Sequence, residues 1–146
     1  MAGLTYVSVG SEEDYIDLFT KKYGAPIKTP DCFTVECKYL RQTALHFLYG
    51  KKKSGKFQPA RASRIYYAEY ILENPNERKT LLDTQTGNLI FFFERAKGKI
   101  RYAVICSVLK DDNLNLISGF VVGGKRAEEY RDGKLPYTFY QKKKSC

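Results

Sequence analysis

The residues able to do chemistry in this chain crowd into one window. Residues 37–68 contain Lys38, Arg41, Lys51, Lys52, Lys53, Lys56, Arg61 and Arg64, eight cations with no carboxylate among them. The same window holds the only histidine, His46, and six aromatic residues: Tyr39, Phe47, Tyr49, Phe57, Tyr66 and Tyr67. Cations interleaved with aromatics suit a phosphate backbone and its unstacked bases. The plain alternative is a solvated basic face with no partner. Clustering this one-sided favours a polyanion.

One reaction class fits these side chains. RNA can cleave itself when its 2′-OH attacks the adjacent phosphorus. A protein then has only to move protons and stabilise the extra negative charge on the phosphate. A lone imidazole in a field of cations has its pKa pushed down, so His46 is expected neutral and able to act as a base at pH 7. Its structural alternative is a core histidine between Leu45 and Phe47. Arg61 and Arg64 lie three residues apart, one helical turn, so both can face one phosphate. They can equally line a solvated helix face. Ser118, on a strand, offers a hydroxyl to the same phosphate, or else is a small residue packed beneath a helix. Lys51, Lys52, Lys53 and Lys56 would form the substrate groove. Tyr66 and Tyr67 are candidates to stack a base, with one of the two expected to face the core.

Other chemistries lack their residues. There is no H-x-x-x-H, no D-x-D and no acidic cluster near the basic window, so no metal site and no cofactor are expected. Gly-Lys occurs without the Walker spacing, and G-x-S-x-G is missing. Of the four cysteines, Cys106 sits in an apolar run and reads as a core thiol. Cys32 and Cys37 are close enough in sequence to bridge. Free thiols in a reducing compartment are the simpler expectation.

The elements that must position these residues are legible in outline. Ser11 followed by Glu12, Glu13 and Asp14 predicts a helix start, with an apolar stripe running to Tyr23 before Gly24 and Pro26. Residues 33–37 read as extended. Leu40–Tyr49 reads as a helix with Leu40, Ala44, Leu45 and Leu48 inward and Gly50 closing it. Pro59 opens a third helix that runs to Asn74. Strands are then predicted at Thr80–Asp83, Leu89–Phe93, Ile100–Leu109 and Leu114–Val122. Short turns join them at 86–88, 96–98 and 111–113, which implies an antiparallel meander. Lys125–Arg131 reads as a helical turn or two, Tyr137–Tyr140 as an edge strand, and Lys142–Lys144 as a solvated tail.

The expected fold class is therefore α+β, with N-terminal helices packed on a roughly four-stranded antiparallel β-meander. Its 146 residues, 43% hydrophobic, suit a single domain with a real core rather than a disordered chain. Residues 1–32 read as an N-terminal helical extension, 33–124 as the core and 125–146 as a basic C-terminal segment. The net charge of +9 comes entirely from the acid-free window and that last segment. No apolar run is long enough to span a membrane, and residues 1–10 lack the pattern of an export signal.

The segments "TALHFLYG", "RASRIYYAEYILENPN" and "NLIFFFERAKGKIRYAVICSVLKDDNLNLISGFVV" carry a resemblance. In this order they resemble the barnase, EndoU, colicin and RelE-like nuclease superfamily, above all its phage-encoded and polymorphic-toxin branches. The His-Leu-x-Gly segment of those branches is similar to His46-Phe47-Leu48-Tyr49-Gly50, except that Phe follows the histidine. The likeness spans about residues 33–122. It implies metal-independent RNA cleavage, often of tRNA, with His46, Arg64 and Ser118 in the catalytic positions. It also implies an acidic immunity protein or antitoxin as partner. Action would be cytoplasmic, with delivery inside a larger toxin or phage particle. The competing expectation is a non-catalytic nucleic-acid-binding module. An immunity protein is disfavoured, since the partner of a basic toxin should be acidic.

Overall fold

The computed structural model describes residues 4–52, 55–95, 99–110 and 113–142. Helix α1 spans Glu12–Tyr23. It starts where the Ser11 hydroxyl accepts the Asp14 N–H at 3.2 Å. Acids fill its first turn and Lys21 and Lys22 its last, matching the helix dipole at both ends. Its buried stripe of Tyr15, Ile16, Phe19 and Tyr23 enters the main core. The N-terminal residues expected as an extension are thus built into the domain.

Two short strands follow, β1 at Ile27–Lys28 and β2 at Thr34–Glu36. Helix α2, Leu40–Tyr49, buries Thr43, Ala44, Phe47 and Leu48. Leu40 and Leu45, expected inward, are only half-buried. Gly50 ends α2 at φ 68°, donating its N–H to the His46 carbonyl.

The expected continuous third helix is broken. Helix α3 covers only Pro59–Ala62, and α4 begins at Tyr67 and ends at Glu73. Between them the chain tightens to three-residue hydrogen bonds, Arg64 N–H to the Arg61 carbonyl and Ile65 N–H to the Ala62 carbonyl. The Ser63 carbonyl, which a continuing helix would hand to Tyr67, accepts the Val7 N–H at 3.0 Å instead. The N-terminal segment therefore lies across the break, a long-range contact that no local pattern announces.

The broad α+β expectation holds, but the sheet differs from a plain four-stranded antiparallel meander. Strands β3 (Arg78–Asp83), β4 (Leu89–Arg95), β5 (Ile100–Val108) and β6 (Asn113–Val121) do run antiparallel in sequence order. Beyond β6, β2 adds in parallel and β1 follows it. After helix α5, Gly124–Asp132, strand β7 (Tyr137–Phe139) pairs with β3 at the other edge. The described residues thus form a mixed seven-stranded sheet in the order β1-β2-β6-β5-β4-β3-β7. The turn expected at 96–98, residues 111 and 112 of the turn expected at 111–113, and Lys143 and Lys144 lie outside the described residues, while Asn113 already opens β6.

Both faces of the central strands are covered, which explains their continuous apolar runs. Phe91, Phe93, Tyr102, Val104 and Cys106 face α1, α2 and α4 in the main core. Ile90, Phe92 and Ala103 pack with Ala127, Tyr130 and Tyr137 in a second one. Arg78 locks the first arrangement, with a side chain only 1% exposed. Its Nη2 reaches both Asp31 carboxylate oxygens at 2.9 and 3.0 Å, while Nε donates to the Ile71 carbonyl at the end of α4.

One irregularity in the sheet has functional weight. Cys106 pairs with Leu116, but Ile105 pairs with Ser118 and Val104 with Gly119. Ile117 is the extra residue of a β-bulge. Past it, the alternation of β6 is shifted by one, so every later side chain changes face.

Cys37 and Cys106 are free thiols. No Cys32–Cys37 bridge forms. Cys32 is nonetheless disulfide-bonded, a departure from the free-thiol expectation. Among the described residues, no helix is long and apolar enough to cross a membrane.

Candidate functional site

The C-terminal end of α2 and the whole of α3 overhang β5 and β6, enclosing a cleft of about 280 Å³. Arg61 and Arg64 line it from the helical side with Phe47, and Tyr102, Gly119 and Val121 from the sheet, its floor.

Arg61 is held by a helix end. Its Nε donates to the Phe47 carbonyl at 2.9 Å, in the last turn of α2, where unpaired carbonyls carry partial negative charge. Its Nη2 comes within 3.3 Å of where a Cβ on Gly50 would stand. Gly50 therefore serves both the positive φ of the helix end and the passage of the guanidinium. Arg64 is half-buried on the tightened turn between α3 and α4. Among the described residues neither arginine is paired with a carboxylate, in contrast to Arg78 on Asp31, Arg95 on Glu77 and Arg131 on Glu94.

Tyr102 completes the arrangement. Its ring is 5% exposed and packs edge-on against Tyr67, with 5.3 Å between centroids. Burial raises the pKa of its hydroxyl well above the ordinary tyrosine range, and the nearby Arg61 and Arg64 charges only partly oppose that. The phenol stays protonated at neutral pH, a hydrogen-bond donor rather than a base. Gly119 makes room for it. A Cβ there would lie 2.8 Å from the Tyr102 hydroxyl and 2.5 Å from the Phe47 ring.

Of the larger clefts, those of about 510 and 610 Å³ are less suited to an anion. In the first, Lys22 is paired with Glu69 and Glu73 adds a second carboxylate. In the second, Arg95 and Arg131 are neutralised by Glu77 and Glu94. The smaller cleft alone of these three pairs two unneutralised guanidiniums with a buried hydroxyl donor.

The residues singled out from the sequence divide around this cleft. Arg61 and Arg64 come together in it. Lys51, Lys52 and Lys56 are exposed on the segment joining α2 to α3, the two elements that frame it. Lys53 lies outside the described residues. His46 is half-buried on α2, beside Phe47 but not in the lining. Ser118 is 7% exposed and, through its pairing with Ile105, faces the α5 side of the sheet. The bulge separates it from the arginines. Tyr67, expected to stack a base, is 2% exposed and spends its ring on Tyr6 and Tyr102. Tyr66 lies half-buried beneath Lys22, 5.0 Å from its ring centroid.

Sequence reasoning missed Tyr102 and Gly119. Tyr102 is the one aromatic of β5, set in an apolar run from Ala103 to Cys106, which was a usable signal. Gly119 had none, because its face depends on the bulge. Comparisons with protein-family models, curated proteins and solved structures gave no match for this chain.

Proposed function

We propose that this protein is a metal-independent endoribonuclease whose reaction centre is the Arg61–Arg64–Tyr102 cleft. The observation that carries the reading is the convergence of two unneutralised guanidiniums and one buried phenol on a cleft floored by glycine. A phosphodiester seated there receives charge-assisted hydrogen bonds from Arg61 and Arg64. As solvent hydroxide takes the 2′-OH proton, the 2′-oxygen bonds to the phosphorus, the bond to the 5′-oxygen breaks, and negative charge builds on the non-bridging oxygens on the way. Fixed guanidiniums stabilise that state more than the ground state, which is the differential binding that accelerates a reaction. Tyr102 adds a hydrogen bond to the same oxygens or passes its proton to the departing 5′-oxygen. Lys51, Lys52 and Lys56 extend the positive field along the strand. The resemblance to barnase, EndoU, colicin and RelE-like nucleases supports the reaction class. It also supports tRNA as one substrate, a cytoplasmic site of action and an acidic immunity protein or antitoxin covering the basic window.

The second reading, a nucleic-acid-binding module without turnover, is favoured by one feature. The described lining contains neither a carboxylate nor an imidazole to take the 2′-OH proton. A single experiment separates the two. Purified protein is incubated with total tRNA in EDTA, alongside Arg64→Ala, His46→Ala and Ser118→Ala. Discrete fragments are expected from the wild type, the His46 variant and the Ser118 variant. Arg64→Ala should lose about 10²–10³-fold in rate, the usual cost of one oxyanion donor. No fragments from any protein, with the RNA still retarded on a native gel, would establish the binding module. Loss on His46→Ala with retention on Arg64→Ala would return the chemistry to His46.

A further inference from the structure

The aromatic contacts do not end at the cleft. From Tyr102 at its floor they pass to Tyr67 at 5.3 Å, and from Tyr67 to Tyr6 at 5.9 Å. The first two rings are buried, whereas Tyr6 is 68% exposed. It is held in place all the same. The next residue, Val7, donates its N–H to the Ser63 carbonyl at 3.0 Å, and the Tyr6 ring lies tilted against the buried Tyr67 ring. Tyr67 in turn donates its backbone N–H to the Arg64 carbonyl at 3.0 Å. An exposed aromatic ring is thus fixed two ring-to-ring steps from the cleft floor, on the Arg64 side.

We infer that Tyr6 is a stacking platform for an unpaired base next to the phosphate held by Arg61 and Arg64. The protein would therefore select single-stranded RNA over duplex. The inference rests on the cleft being the phosphate site. It adds what the cleft itself does not give, a reason for strand selectivity. Each base presents a π-face, but in a duplex that face is covered by its neighbours, so only an unstacked base can lie on Tyr6. An exposed ring already ordered by its neighbour loses little freedom on binding, which favours its use as a platform. The tie of Val7 to Ser63 sets the Tyr6 segment against the residue next to Arg64, which lines the cleft with Arg61. Charge complementarity selects a nucleic acid strand over an acid-poor apolar partner.

The test uses the full chain and a non-cleavable probe, so turnover is not needed. A six-nucleotide 2′-deoxy strand carrying 2-aminopurine is titrated against wild type, Tyr6→Ala, Tyr6→Phe and Arg64→Ala. A blunt duplex of the same sequence and inorganic phosphate are run in parallel. Tyr6→Ala should weaken the single strand roughly 5- to 150-fold and abolish the stacking-induced quenching of 2-aminopurine. Tyr6→Phe should bind and quench as the wild type does. Phosphate affinity should be equal in all three and fall only in Arg64→Ala. Binding by Tyr6→Ala within twofold of wild type, with Arg64→Ala still impaired, overturns the stacking platform and leaves the cleft standing. Arg64→Ala indistinguishable from wild type on both strand and phosphate overturns the cleft itself. A Tyr6→Ala loss that is equal on duplex and phosphate overturns the inference by revealing a purely structural role.

Discussion

Adding one methyl group at Gly119 should damage both the cleft and the core, in a proportion that tests the proposed geometry. In Gly119→Ala the new Cβ would stand 2.5 Å from the Phe47 ring edge and 2.8 Å from the Tyr102 hydroxyl. Carbon contacts are comfortable at about 3.5–4.0 Å, so both rings must retreat by roughly 1 Å. Neither can do so freely. Phe47 is 4% exposed and packs on Phe19 at 5.1 Å, while Tyr102 is 5% exposed and packs on Tyr67. Overpacking of this kind costs about 1–3 kcal/mol. Chemical denaturation should show the midpoint lowered with an unchanged slope. The activity loss should exceed what the stability loss explains, because a shift of about 1 Å in a positioned donor costs on the order of 10²-fold in rate. Cleavage is measured under conditions where the variant is fully folded. Shortening the neighbour in a Gly119→Ala/Phe47→Leu double variant should recover stability but not rate, since Tyr102 stays displaced. Wild-type cleavage by a folded Gly119→Ala protein would refute the placement of Tyr102 at the reacting phosphate. Full recovery of rate in the double variant would assign the defect to Phe47 instead.

The cleavage rate should climb with pH at a slope of about one across neutrality, without an inflection near 6.5, because hydroxide and not His46 takes the 2′-OH proton. Burial holds the Tyr102 hydroxyl protonated well past the ordinary tyrosine range, so no descending limb should appear by pH 9. A bell centred near 6.5 in a pH–rate profile would contradict this. Asp31→Ala should destabilise the fold by about 3 kcal/mol, since it strands the buried Arg78 charge. A thermal midpoint unchanged from wild type would show that the Ile71 and Leu72 carbonyls suffice for Arg78.

Much of the local structure was legible because local physics decides it. Ser11 and the acids after it set the start of α1, Gly50 the end of α2, Pro59 the start of α3, and the apolar runs with their turns gave the four central strands. The basic window was plain from charge counting, and Arg61 and Arg64, three residues apart, line one cleft even though the helix breaks between them. The third helix was misjudged where it breaks, because the contact that stops it comes from Val7, more than fifty residues earlier. The extended reading at 33–37 matches β2, whereas the edge strand β1, two residues long, was too short to carry a periodic pattern.

The sequence by itself thus determined the inventory: α+β content, one basic and aromatic window, and two arginines a turn apart. Tertiary structure decided which partners those arginines have. In β6 the order Leu114, Leu116, Ser118 reads as one face, and strict alternation would place Ser118 beneath the helices. The bulge at Ile117 turns Ser118 to the other side and brings Gly119 under Phe47. A one-residue change in register leaves composition and propensity untouched, yet it reverses every side chain after it. That is why the hydroxyl that shares the cleft with Arg61 and Arg64 is that of Tyr102, on the neighbouring strand, and not that of Ser118.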